Sequence, residues 1–240
     1  MEDHVRPGPR ADAVVTRIDA VLFDWGDTLF ESPHAPSVIV HHARESGIHM
    51  EEDAAQEMWD ELWAESKTRE EHAKGRDLSR DAHRAVWMDL FSRKERFIPG
   101  IGRVLYDRVM DPSSWKPYPD AEPTLRALRE RGVKIGIVSN TAHDLRAFFK
   151  EARLEKYIDA YAFSYEVGIA KPAPRIFEEA CARLGVPPAN TLMVGDDAVS
   201  DAGAADAGLQ LYLLGPYAHG TARGLARVVE IVDASRAVRS

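Results

Sequence analysis

The chain has 240 residues, 45% of them hydrophobic and 29% charged, which suits one globular domain with an insertion or two small domains. Its net charge of −8, with no basic block to offset it, excludes nucleic acid and anionic membrane as expected partners. An anionic substrate stays possible, provided that a metal, a lysine or backbone N–H groups meet it locally.

One cysteine, Cys181, leaves no intrachain disulfide and no cysteine-based zinc site; in "IFEEACARLG" it reads as a small core residue. The opening "MEDHVRPGPRADAVVTR" lacks the apolar stretch of a secretory signal, and no apolar run approaches membrane-spanning length. A cytoplasmic location is therefore expected.

Residues 1–16 read as a flexible tail, followed by "IDAVLF", a short apolar run closed by a turn, as in a buried parallel strand. Residues 33–114 then change character. "AAQEMWDELWAESKTREEH" and "LSRDAHRAVWMDLFSRKERF" carry apolar residues at helical spacing with charged faces, which predicts a helical segment.

After "WKPYPDAEP" strands and helices alternate: helix "TLRALRERG", strand "VKIGIVSN", helix "DLRAFFKEARL", strand "IDAYAFS", helix "PRIFEEACARLG", strand "TLMVGD", short helix "DAGAADAG" and strand "LQLYLLG". That alternation predicts an α/β fold with a Rossmann-like parallel sheet, formed by residues 17–32 and 115–240, into which the helical segment is inserted.

Ligands of such sheets bind beyond the carboxyl ends of the strands. Asp24 follows "AVLF", Ser139 and Asn140 follow "KIGIV", Asp196 follows "TLMVG", and Lys171 lies in the loop "GIAKPAP" after another strand. Singly, each has an ordinary explanation as a cap or a solvated loop residue. Together, in this order, they predict one converging site. Several carboxylates crowded together raise their pKa or recruit a cation, and an all-oxygen ligand set beside phosphate points to Mg²⁺.

In these motifs the sequence resembles the haloacid dehalogenase-like (HAD) hydrolase superfamily, over residues 18 to about 216. "FDWGDTL", "IVSN", "GIAKPAPRIF" and "VGDDAVSDAGAADAGL" look like its four motifs, and the helical segment at 33–114 occupies the position of its cap. The resemblance implies a hydrolase, with a small phosphorylated metabolite as substrate and Asp24 as the nucleophile that forms an aspartyl-phosphate. It implies Ser139 and the Asn140 N–H as phosphoryl ligands and Lys171 as the compensating charge. A Mg²⁺ ion would be held by Asp24, the carbonyl of Gly26 and Asp196, with Asp201 completing the acidic patch.

The sequence departs from the family two residues after the nucleophile. The usual acid/base aspartate is replaced there by Gly26, and Asp27 stands where glycine is common. Either a Gly26 hinge brings the Asp27 carboxylate to the leaving group, or Asp27 is a structural acceptor in the turn. A third reading has chemistry lost and a phospho-ligand merely bound. Two relatives without this acid offer alternatives: haloacid hydrolysis, against which the retained acidic site counts, and phosphonoacetaldehyde-type hydrolysis, which uses a cap lysine. Lys67 and Lys74 are the counterparts for such a lysine, although "ESKTREEHAKG" reads as a solvated helix. Arg69, Arg76, Arg80 and Arg84 likewise read as a solvated face, with pairs such as Glu65 and Arg69, or as an anion receptor. Trp59, Trp63 and Trp87 read as packing in the segment, and His41-His42 as a solvated face.

Overall fold

The computed structural model describes residues 16–237, so the expected tail lies outside the described residues except for Thr16. In chain order the elements are β1 (Ala20–Phe23), β2 (Phe30–Glu31), α1 (Pro36–Glu45), α2 (Glu52–Ser66), α3 (Arg69–Ala73), α4 (Arg80–Ser92), α5 (Ile101–Met110), β3 (Lys116–Pro117), α6 (Ala121–Glu130), β4 (Lys134–Ser139), α7 (Arg146–Glu151), β5 (Ala160–Phe163), α8 (Ser164–Val167), α9 (Pro174–Leu184), β6 (Thr191–Gly195), α10 (Gly203–Asp206), β7 (Gln210–Leu213) and α11 (Ala226–Ala237).

Five strands form one parallel sheet in the order β5-β4-β1-β6-β7, with helices on both faces. The fold is α/β and Rossmann-like. β1 is central because all four of its residues are apolar and buried, and only a strand covered on both faces can bury such a run. Its register aligns Phe23 with Ile137 of β4 and with Val194 of β6, so the three strands end within two residues of one another.

Each face has its own apolar cluster. On one, Val21, Phe23, Ile135, Ile137 and Val194 pack against Leu125 and Leu128 of α6, Phe149 of α7 and Val228 and Val232 of α11. On the other, Leu22, Val138 and Met193 pack against Ile176, Phe177, Ala180 and Cys181 of α9. A third cluster belongs to the helices between β2 and β3 and is built on Ile39, Trp59, Leu62, Trp87, Leu90, Phe91 and Leu105.

Several elements differ from the sequence expectation. α11 was not foreseen, although Leu225, Val228 and Val232 recur at helical spacing and are fully buried. The β2–β3 pair is only two residues per strand, too short for an alternating pattern to mark it. α7 is shorter than "DLRAFFKEARL": the Asp144 side chain accepts from the Arg146 N–H at the start, and Arg153 takes a positive φ of 58° beyond the end. The expected stop at Gly132 is present, with φ 68°, the left-handed turn that glycine enters without penalty.

Trp59 is 2% exposed and stacks on Trp63 at a centroid distance of 5.2 Å. Trp59→Ala is expected to cost about 3–5 kcal/mol, read as a lower midpoint of urea unfolding. An unchanged midpoint would contradict its burial.

Candidate active site

The carboxyl ends of β1, β4 and β6 open onto a cavity of about 160 Å³ lined by Asp24, Asp27, Ser139, Asn140, Lys171 and Asp196 from the sheet side. Trp63, Lys67, His72, Arg76, Asp77, His83 and Trp87 line it from the helical segment.

Asp24 is the first residue beyond β1, and its N–H donates to the Val194 carbonyl at 2.9 Å, which continues the sheet pairing by one residue. The chain then folds back: the N–H groups of Leu29 and Phe30 both donate to the Trp25 carbonyl, at 3.0 and 2.9 Å, and Asp27 N–H donates to the Phe30 carbonyl at 2.7 Å. Gly26 fits this turn for want of room, since an added Cβ would sit 3.3 Å from the Trp115 ring. The left-handed residue of the turn is Asp27 itself, with φ 53°. The unusual backbone conformation that one reading placed at Gly26 therefore falls one residue later, at a residue type that tolerates it.

The Asp27 carboxylate is saturated. Oδ1 accepts from the Ser32 N–H at 3.1 Å and the Tyr217 hydroxyl at 2.8 Å; Oδ2 accepts from Trp63 Nε1 at 3.1 Å and Lys67 Nζ at 2.8 Å. Burial alone would raise its pKa, but Lys67 and these donors outweigh it and hold the group down at about 2. Its backbone carbonyl accepts from Arg223 Nε at 2.6 Å.

Lys171 is almost wholly buried and stands 2.9 Å from Asp24 Oδ1 and 2.6 Å from Asp201 Oδ1. Its backbone is clamped by the Asn140 side chain, whose Nδ2 donates to the Lys171 carbonyl at 2.9 Å and whose Oδ1 accepts the Lys171 N–H at 2.7 Å. Asp201, fully buried, accepts the Asp197 N–H on Oδ2 at 3.0 Å. Asp196 accepts the Thr28 hydroxyl on Oδ1 at 3.2 Å and Lys67 Nζ on Oδ2 at 2.7 Å. Asp197 lines the same cavity but is occupied separately, taking the Val199 N–H, the Ser200 hydroxyl and an ion pair with His72 at 3.2 Å.

Two lysines thus serve four carboxylates: Lys171 serves Asp24 and Asp201, and Lys67 serves Asp27 and Asp196. Burial raises the pKa of Asp24 and Asp196 to about 6 despite their lysines, while Lys171 and Lys67, against the pull of burial, are held well above the usual ammonium range by their carboxylates. With all six groups ionised the cluster carries two surplus negative charges.

The solvated reading of the helical segment holds for Arg69, Arg80, Arg84 and Lys74, all exposed, and for His41. It fails for Lys67 and Arg76. Lys67 caps the carboxyl end of α2, pointing into the sheet's site, and Arg76 is 6% exposed. Glu65 pairs with Arg93 and not with Arg69. Tyr217 and Arg223, which bind Asp27 from beyond the last strand, carry no motif in the sequence. Their signal is only their position after a strand end.

The acidic patch depends on a missing side chain. A Cβ on Gly195 would lie 2.0 Å from Asp201 Oδ2. Gly195→Ala is expected to cost about 1–3 kcal/mol in thermal unfolding. Gly215→Ala, where nothing stands within 4 Å, should stay within about 0.5 kcal/mol of the parent. Equal effects at both positions would count against the close approach.

Comparison with known proteins gives a consistent result. The family profile "haloacid dehalogenase-like hydrolase" matches residues 18–208. The chain is 30% identical over 211 residues to haloacid dehalogenase-like hydrolase domain-containing protein 3 of Bos taurus, covering 82% of this chain and 83% of that one. It is 34% identical over 192 residues to a glyceraldehyde 3-phosphate phosphatase of Methanopyrus kandleri, covering 75% and 76%. Among solved structures, the L-2-haloacid dehalogenase RSc1362 superposes with a TM-score of 0.67 at 23% identity over 91% of this chain and 100% of that one, a likeness of fold.

Proposed function

The chain belongs to the haloacid dehalogenase-like hydrolases, and from that premise we propose that it is a Mg²⁺-dependent phosphatase for a small phosphorylated metabolite, working through an aspartyl-phosphate on Asp24. The observation that carries this reading is the charge imbalance around Asp24: four converging carboxylates, two lysines and an adjoining cavity. Buried carboxylates left two cations short favour a ligand that brings positive charge.

Asp24, Asp196 and Asp201 each bring an oxygen within 4.8 Å of the others, an all-oxygen set that fits a small hard dication. Asp24, Asp196 and the Gly26 carbonyl would hold it. Asp201, both of whose oxygens already accept hydrogen bonds, would orient Lys171 behind them. When bound, Mg²⁺ supplies positive charge to the phosphoryl oxygens.

In this reading a carboxylate oxygen of Asp24 attacks phosphorus, the bond to the leaving oxygen breaks, and that oxygen takes a proton from solvent water. Water then cleaves the acyl phosphate, releasing inorganic phosphate and restoring Asp24. Lys171 keeps Asp24 oriented and offsets charge as the phosphoryl group transfers. Ser139 and the Asn140 N–H, at the end of β4, take phosphoryl oxygens, while the Asn140 side chain positions Lys171. Asp27, with four donors on its carboxylate, serves as the anchor of Lys67, whose ammonium faces the leaving oxygen.

Asp24→Asn should lower turnover about 10⁴-fold or more and abolish phosphoryl labelling at residue 24 in a panel of phosphorylated metabolites. A protein that only binds phospho-ligands would retain affinity in that variant and show no turnover in the parent. Chelation with EDTA should abolish activity and added Mg²⁺ restore it; turnover indifferent to EDTA would remove the metal from this account.

A second reading, phosphonate hydrolysis through a lysine Schiff base, is favoured by one observation, the entry of Lys67 into the cavity. Its two carboxylate partners, at 2.7 and 2.8 Å, oppose the neutral amine that this chemistry requires. Borohydride with phosphonoacetaldehyde should therefore leave Lys67 unmodified; a reduced adduct on Lys67 would establish the phosphonate reading instead.

A further inference from the structure

The phosphoryl end of the cavity accounts for Lys67 and Lys171, each committed to two carboxylates. It does not account for Arg76. This side chain is 6% exposed and lines the same cavity, yet its Nε and Nη1 have no hydrogen-bond partner among the described residues. Its guanidinium lies 4.6 Å from the centroid of Trp87, which holds the plane of the fork against an aromatic face. Its ion pair, with Asp77, runs from Oδ2 to Nε at 3.5 Å and leaves the terminal nitrogens clear. Burial raises the pKa of Asp77, so that partner is the weaker for its position.

The neighbouring atoms point the same way. Trp87 Nε1 and Trp25 Nε1, from residues that line the same cavity, are also buried without an acceptor. A buried donor left unsatisfied costs about 1–3 kcal/mol. Three side chains around one cavity, each with a buried N–H that makes no hydrogen bond among the described residues, describe a site whose acceptor oxygens arrive with the ligand. A guanidinium fork takes two oxygens of one carboxylate or phosphate, and the phosphoryl group is already met at the Asp24 end of the cavity.

We propose that Arg76, backed by Trp87, binds a carboxylate on the leaving group, so that the substrates are phosphate monoesters of small hydroxy acids. This rests on the phosphatase reading for the phosphoryl end, and adds a second anionic subsite on the helical segment. The aldehyde of glyceraldehyde 3-phosphate, the substrate in the name of the archaeal relative, offers Arg76 no anion.

The test compares 3-phosphoglycerate with glycerol 3-phosphate and glyceraldehyde 3-phosphate, which differ in the carboxylate. The parent protein should favour 3-phosphoglycerate in kcat/KM. Arg76→Gln should reduce that preference about 10- to 100-fold, chiefly through KM, and Arg76→Lys, which keeps charge but loses the fork, should fall between. A parent that prefers either compound lacking the carboxylate, or a preference untouched by Arg76→Gln while turnover persists, overturns the inference and leaves the phosphatase intact. The second readout is calorimetric binding of 3-phosphoglycerate to Asp24→Asn and to the Asp24→Asn, Arg76→Gln double variant. Tighter binding to the single variant supports the subsite even where no ester is hydrolysed, which would sink only the phosphatase reading. Equal binding by the two overturns the subsite.

Discussion

Too many carboxylates share too little space at the ends of the central strands, and the surrounding structure answers that constraint. Lys171 can join Asp24 to Asp201 because β1 and β6 are neighbours in register, because the Asn140 side chain fixes the Lys171 backbone, and because Gly195 leaves room for the Asp201 carboxylate. Removing either partner of such a buried pair strands a charge in a medium that cannot solvate it, which costs several kcal/mol. The parallel sheet has the same relation to the chemistry: it is the device that brings residues 24, 139, 171 and 196 to one place.

Much of this was legible in the chain. Short apolar runs closed by Asp24, Ser139 and Asp196 marked three strand ends, because a strand buried on both faces has to be apolar throughout and the first polar residue shows where it leaves the sheet. Lys171 was legible as a loop lysine in the third motif. The role of Asn140 was legible only in part, since no spacing reveals that its amide will bind a loop 31 residues away.

Less was legible in the helical segment. Charge on a helix reads as solvation unless something shows which face is covered, and the covering surface here is the distant sheet. Lys67 was therefore read alongside Lys74, and Arg76 alongside Arg69, Arg80 and Arg84, although of these only Lys67 and Arg76 meet the cavity. The exchange of glycine and aspartate at 26 and 27 was visible, but its cause was not. Trp115, remote in sequence, occupies the space beside Gly26, and the donors that saturate Asp27 come from Ser32, α2 and the loop after β7.

Asp27 and Asp196 lie in the loops that follow β1 and β6, whereas Trp63 and Lys67 belong to α2 and its cap, so one ammonium group stitches the helical segment to the floor beneath it. Lifting α2 away would strip Asp27 of two donors and leave Asp196 without its counter-charge. A dication arriving at Asp196 would contest that same oxygen. Whatever loosens the stitch must therefore repay the electrostatics from below, which makes the ionic occupancy of the floor and the seating of the roof two faces of one equilibrium.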